Sequence, residues 1–250
     1  VKVVHYLHEA PMVLHDKEGL KELPLRLRLF YRAMATLYAG KDVEAVSRSD
    51  TIIANSHLSK RANADAYGLD ESEIEVVYPG VDIKKATSSA PVPELISRRL
   101  EEEGPLIFFP RGAQIWRNPD VCLQALKALG FRFQAVFTGG ADYEGSRLMK
   151  KARALDIASE VLWIPEVSNE ELSSIYSHSS LVVSIPKRQP FGLIPLEALV
   201  HGSPPIVSSS SGVSEVLRDG LDTVTIRERD PKELANAIET LISDGELRRR

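Results

Sequence analysis

An α/β protein with parallel sheets is the fold class this sequence predicts, and three observations carry the prediction. Runs such as Leu106–Pro110, Phe133–Thr138 and Ser180–Ile185 are short and nearly continuously apolar, as expected of strands buried on both faces. Helical patterns, among them Pro119–Leu129 and Pro231–Ser243, stand between such runs. Glycine, proline, asparagine or serine marks most of the junctions. Strands that alternate with helices imply right-handed crossovers and therefore parallel pairing.

Taken in order, Val1–Leu7 reads as a buried strand that delivers His8-Glu9-Ala-Pro11 into a loop, the place where a doubly wound sheet presents a reactive side chain. Residues 24–46 read as a helix with apolar residues around much of its circumference and arginines at 26, 28 and 32. Two explanations fit it: a helix packed on a sheet, or a basic helix lying at an anionic membrane surface. Ser49–Ser56 is a short strand ending in a polar turn, Ser56 caps the next helix, and Glu73–Tyr78 is a further strand closed by Pro79-Gly-Val-Asp82. Lys84–Pro93, rich in Ser, Pro and Ala, has the composition of a crossing between domains.

Beyond it the alternation is regular: strand Leu106–Pro110, helix Pro119–Leu129, strand Phe133–Thr138, helix Glu144–Leu155, strand Val161–Ile164, helix Asn169–His178, strand Ser180–Ile185. A helix ending at Gly202, a strand Pro205–Ser208, a helix Val213–Asp219, a weak strand Thr223–Ile226 and the helix Pro231–Ser243 follow. The expected division is 1–83 for the latter part of an N-terminal unit, 84–104 for a linker and domain entry, and 105–250 for a second Rossmann-like unit.

Composition narrows the function classes. A 43% hydrophobic content supports a real core, and a net charge of −4 gives no overall basic field for nucleic acid. Cys122 is the only cysteine, which excludes an intramolecular disulfide and fits a reducing compartment. No apolar run approaches the about 20 residues that span a bilayer. The expected location is cytoplasmic, with the inner membrane face as the alternative that helix 24–46 opens. The start at Val1 in mid-strand suggests a fragment of a longer enzyme.

The densest chemistry lies in Pro186-Lys-Arg-Gln-Pro-Phe-Gly-Leu-Ile-Pro-Leu-Glu-Ala-Leu-Val-His-Gly202, a loop and helix that follow a strand. Ligands of open α/β sheets sit beyond the carboxyl ends of strands, and a helix start offers N–H groups to an anion. The amides of Phe191, Gly192 and Leu193 are therefore phosphate candidates, and Glu197 can accept from a ribose diol. Arg111 and Arg117, in the loop after Leu106–Pro110, bring two guanidinium groups to the same end of the sheet, where their planar forks suit a diphosphate. Gly139 and Gly140 form a Gly-Gly turn after another strand, which either changes chain direction or lets a ligand approach. No Asp, His and Cys cluster has metal-ligand spacing, so no metal is expected.

The string Gln189-Pro-Phe-Gly-Leu-Ile-Pro-Leu-Glu197-Ala, with Gly202-Ser-Pro-Pro-Ile-Val and Gly212-Val-Ser-Glu215, resembles the signature of the retaining nucleotide-sugar glycosyltransferases of family four, glycosyl transferases group 1. That resemblance implies the GT-B fold: two Rossmann-like domains with parallel sheets facing a cleft, the first of them incomplete here. It implies transfer of a hexose from a nucleoside diphosphate sugar to an acceptor hydroxyl, with no cofactor and no metal. The acceptor is open among glycan, lipid and small molecule.

By the same resemblance Asp50–Asp82 is the end of the N-terminal domain, His8 and Gln189 face the sugar, Arg111 and Arg117 the diphosphate, and Glu197 the ribose. Gly139 and Gly140 lie near the donor, and the nucleobase runs along the segment that starts at Glu166. The family's motif has two glutamates seven residues apart; Gln189 departs from the first. A silent nucleotide-sugar-binding homologue or regulatory subunit, and a GT-B sugar-nucleotide epimerase, are the alternatives.

Overall fold

The structure, a computed structural model, describes residues 2–8, 25–83, 92, 94–187, 189–227 and 229–244. The loop segment 9–11, the presumed crossing 84–91 and residue 93, Arg188 and the arginines at the end of the chain lie outside the described residues. The chain divides into two compact units, Val1–Pro79 and Gly80–Arg250. Every strand pair in the two sheets is parallel, so the predicted fold class is observed.

In the first unit β1 (Val4–Leu7), β2 (Thr51–Ala54) and β3 (Ile74–Val76) form a sheet in that order. Helix α1 (Leu25–Ser47) precedes β2, and α2 (His57–Tyr67) follows it. Ser56 caps α2 by accepting from the Ser59 amide, and Gly68 ends it in the left-handed conformation at φ 67°, as capping rules require. Leu7, Val46, Ile52, Ala54, Ala64, Tyr67 and Ile74 make the core.

Helix α1 meets the core of its unit through its C-terminal end, at Val43 and Val46. Val46 is its only buried residue, and Leu25, Leu27, Leu29, Phe30, Leu37 and Tyr38 are exposed. At about 100° per residue, Leu25, Leu27 and Phe30 point about 0°, 200° and 140° around the axis, which is not a one-sided stripe. No helix among the described residues is long and apolar enough to cross a membrane.

The second unit holds a six-stranded sheet of β4 (Leu106–Phe109), β5 (Gln134–Thr138), β6 (Val161–Ile164), β7 (Leu181–Ser184), β8 (Pro205–Ser208) and β9 (Val224–Ile226), in the order β6-β5-β4-β7-β8-β9. Alternate side chains of each strand enter different cores. Ile107, Phe109, Ala135, Phe137, Leu181 and Val183 pack with α4 (Pro119–Ala128), α5 (Asp142–Ala154) and α8 (Pro231–Ser243). Leu106, Phe108, Val136 and Val182 pack on the opposite face with α3 (Glu94–Leu100), α6 (Asn169–His178) and α7 (Ile194–Val200). A strand sandwiched in this way must be apolar at every position, which explains the continuous runs in the sequence.

Two elements differ from expectation. Helix α3 was not anticipated in the segment 84–104; Ile96, fully buried, anchors it. The expected helix Val213–Asp219 is a single 3₁₀ turn, Gly212–Glu215. The Gly212 and Val213 amides donate to the carbonyls of Gln189 and Phe191, so the turn is pinned to a loop, and Gly212 and Ser214 are poor helix formers.

Candidate functional site

The strand order reverses between β4 and β7: the chain runs outward to β5 and β6 on one side and to β8 and β9 on the other. Loops leaving the carboxyl ends of β4 and β7 therefore diverge and leave a crevice. Two bonds tie its walls together. The Lys187 amide donates to the Trp116 carbonyl at 3.0 Å and Asn118 Nδ2 to the Ile185 carbonyl at 2.8 Å, while the Arg111 amide braces the β4 loop on β5 by donating to Thr138 Oγ1 at 3.1 Å.

The loop after β4 carries Arg111 and Arg117. Arg111 and Asn118, at its two ends, adopt the left-handed region at φ 55° and 56°, which is uncommon for residues with a side chain and is held by the surrounding bonds. The Asn118 side chain makes no cap bond to α4; its amide goes to Ile185 instead. Gly139, at φ 70°, lies against this loop, and a Cβ there would stand 3.2 Å from Arg111 Cα. Glu144 is buried and joins the two loops: its Oε1 accepts from the Ile115 amide at 3.1 Å and its Oε2 from the Ala141 amide at 2.9 Å.

Arg117 ends a 3₁₀ turn, Ile115–Arg117, and is half-buried. Its Nε and Nη1 are buried and have no hydrogen-bond partner. Burial, and then the Arg111 charge, press its pKa down to about 10, while Tyr176 and Glu197 pull the other way. Two like charges thus lie near one another at the switch point, and Arg117 keeps buried donors without acceptors.

Glu197 stands on α7, and its Oε2 accepts from the Tyr176 hydroxyl at 2.8 Å. Gln189 bridges Ser211 in the loop after β7. A Cβ on Gly192, at φ 96°, would meet Gln189 Cγ at 2.9 Å, so a side chain at 192 would displace Gln189. Phe191 is buried against Val207 and Val213; its ring anchors the loop, and only its backbone could meet a ligand. Leu193 precedes α7, which has only seven residues, so the electrostatic weight falls on the arginines. Glu166 is exposed after β6, two strands from β4.

His8 belongs to the first unit, where it is exposed after β1. Tyr6 packs edge-on to its ring at 4.9 Å, Asn55 Nδ2 lies 3.2 Å from its Nδ1, and Ser59 Oγ donates to its carbonyl at 2.6 Å. The structure thus assembles Arg111, Arg117, Gly139, Gln189 and Glu197 around the β4 and β7 loops of one unit. Sequence reasoning missed Glu144, Tyr176 and Asn55, the buried partners behind the site residues. Glu144 alone left a local signal, as the third residue of its helix in a capping position.

Residues 94–250 match the family described as Glycosyl transferases group 1, and residues 1–85 match Glycosyltransferase Family 4. The chain is 28% identical over 222 residues to a D-inositol 3-phosphate glycosyltransferase of Salinispora arenicola, covering 82% of this chain and 50% of that relative. It is 30% identical over 218 residues to a protein of that name from Geodermatophilus obscurus, covering 82% and 48%. The chain spans about half the length of these curated relatives. Among solved structures, Anabaena Alr3699/HepE in complex with UDP and glucose superposes with a TM-score of 0.76 at 20% identity, covering 98% of this chain and 63% of that one. WaaG, a glycosyltransferase involved in lipopolysaccharide biosynthesis, gives a TM-score of 0.74 at 16% identity, covering 98% and 67%.

Proposed function

The chain belongs to the glycosyl transferases group 1 family, and we propose that it binds a nucleoside diphosphate sugar in its second unit, as part of a protein that passes the hexose to an acceptor hydroxyl with retention of configuration. One observation carries the reading: Arg117, beside Arg111 at the switch point, holds two buried guanidinium nitrogens that lack partners. A diphosphate supplies acceptor oxygens in pairs, the geometry a planar guanidinium suits. The Anabaena structure, with UDP and glucose bound, supports the ligand class.

In the proposed reaction the bond from the anomeric carbon to the β-phosphate oxygen breaks and the acceptor oxygen bonds that carbon on the same face. The acceptor proton passes to the departing diphosphate. Arg111 and Arg117 stabilise the charge growing on the diphosphate, taking the part a divalent cation would otherwise fill. Glu197 accepts from the ribose. Gln189 contacts sugar hydroxyls, to which an amide both donates and accepts; His8 is assigned to the sugar as well.

Binding of UDP, GDP and ADP by calorimetry and thermal shift tests the donor site. At about a hundred times its dissociation constant a true ligand should stabilise the fold by about 2.7 kcal/mol. If the folded protein binds none of the three, the assignment fails. The uncharged Gln189 favours a second reading, a silent donor-binding homologue. In the complete protein, Gln189→Glu should change the transfer rate by less than about a hundredfold, about 2.7 kcal/mol of barrier; a gain of about four orders of magnitude would establish the silent form. Sugar-nucleotide conversion without an acceptor would identify an epimerase.

A further inference from the structure

Behind Glu197 lies a set of buried groups that touch no proposed ligand. The Tyr176 ring is 1% exposed, edge-on to Phe108 of β4 at 5.1 Å and stacked on the His201 imidazole at 5.2 Å. His201 is fixed at both nitrogens: Nδ1 donates to the Glu197 carbonyl at 2.7 Å, and Nε2 lies 2.6 Å from Ser173 Oγ. Since Nδ1 faces a carbonyl, neutral His201 accepts the Ser173 hydroxyl at Nε2. The phenol has one outlet, the 2.8 Å bond to Glu197 Oε2.

We propose that Tyr176 is a positioning residue that sets the plane of the Glu197 carboxylate, and that this buried clamp gives the nucleotide site its preference for an intact ribose diol over a 2′-deoxyribose. The inference rests on the reading of Glu197 as the ribose acceptor. A carboxylate on a rotatable side chain can present its lone pairs in many directions, and a diol is read well only when two of them stay fixed. Tyr176 takes one position on Oε2, and Oε1 and the second lone pair of Oε2 remain able to accept. Ring packing on two sides restricts the phenol, and the backbone bond from His201 to the carbonyl of Glu197 ties the clamp to the residue it orients. Burial, and then the Glu197 charge, raise the Tyr176 phenol well above its usual range, so it stays a donor.

The test compares UDP, GDP and ADP with their 2′-deoxy counterparts, and with pyrophosphate, on the full chain and on Tyr176→Phe. The wild type should bind the preferred ribonucleotide about 10- to 100-fold more tightly than its deoxy form, the range for a hydrogen bond to a charged group. Tyr176→Phe keeps the ring and removes only the hydroxyl, so that ratio should fall to within about threefold of unity while pyrophosphate affinity and melting temperature stay near wild type. Ser173→Ala, which removes one of the two bonds that fix the His201 ring, should lower the ratio by a smaller factor and provides a second variant should Tyr176→Phe fold poorly.

A ratio unchanged in both variants overturns the clamp and leaves the donor site standing. A wild type that binds nucleotides but does not distinguish ribose from deoxyribose, with Glu197→Ala equally indifferent, overturns both the clamp and the ribose role of Glu197. Loss of pyrophosphate binding in a folded Tyr176→Phe also overturns the clamp, because the hydroxyl would then act on the phosphate site.

Discussion

Arg117 and Glu197 stand beyond neighbouring strands of one sheet and carry opposite charges, yet their surroundings treat them differently. Glu197 is held by a buried phenol that is itself held by two rings. Arg117 has two buried nitrogens with no partner. A folded chain satisfies nearly all of its buried polar groups, so the paired charge is oriented by the fold itself, and the unpaired one is where the proposed ligand has most to add. The charge patterns alone would have rated the two residues alike.

The comparison breaks most visibly at Arg117. Replacing it with alanine removes a charge that burial and Arg111 disfavour more than Glu197 favours it, so the melting temperature should hold or rise while the transfer rate of the complete protein falls by about 10²–10³, measured with a nucleotide-sugar substrate. A lower melting temperature at unchanged rate would reverse the roles assigned here.

Glu144 makes the opposite case, a buried carboxylate whose two oxygens are both used by backbone amides of different loops. Glu144→Ala leaves the Ile115 and Ala141 amides without acceptors, and should cost about 1.5–3 kcal/mol of stability in urea unfolding. An effect below about 0.5 kcal/mol would show that water replaces it.

Protonation sharpens the contrast further. The free-state pKa of Arg117 is lowered to about 10, so the folded chain gives up that proton before the unfolded chain does, and the destabilising charge is present below about pH 10 and relieved above it. A bound diphosphate favours the charged form. Nucleotide affinity should therefore be steady, as far as this group decides it, up to about pH 9 and then fall about tenfold per pH unit above pH 10, in calorimetry with Arg117→Ala as the control. Tyr176 remains protonated over the lower part of that range.

The smallest expected effect is at the surface pair Asp222–Arg218. The Arg218 side chain and amide both donate to Asp222, whose pKa drops to about 2. The stability it contributes is present above the ordinary carboxylate range and lost as pH falls toward 2. Solvent screening keeps Asp222→Asn within about 0.2–1 kcal/mol by thermal unfolding at pH 7.

The sheet of the second unit was legible because each of its inner strands feeds two cores, which makes Leu106 to Phe109 apolar at every position, and because such runs are too short for helices and end at turn residues. The candidate residues of that unit were legible for a related reason: the loops that carry Arg111, Arg117 and Gln189 leave the carboxyl ends of predicted strands. What supports them was not. Tyr176 meets Glu197 across 21 residues, Glu144 meets Ile115 across 29, and Asn55 meets His8 across 47. Such pairs follow from strand order, which spacing does not encode. The turn Gly212–Glu215 was misread as a helix because the bonds that stop it come from the loop at Gln189 and Phe191.

The chain has two tryptophans, one on a loop that Glu144 holds and the other in β6, beside the second such loop. Trp116 is half exposed on the turn that ends in Arg117, and its carbonyl accepts from Lys187. Trp163 donates from Nε1 to the Gly139 carbonyl at 2.9 Å, with its ring so close to Gly145 that a Cβ there would stand 2.1 Å away. The protein thus carries its own optical reporters. Emission from Trp116 should shift as a nucleotide displaces water beside Arg117, while Trp163, wedged and hydrogen-bonded, supplies a steady reference, and Trp116→Phe separates the two signals without any added label.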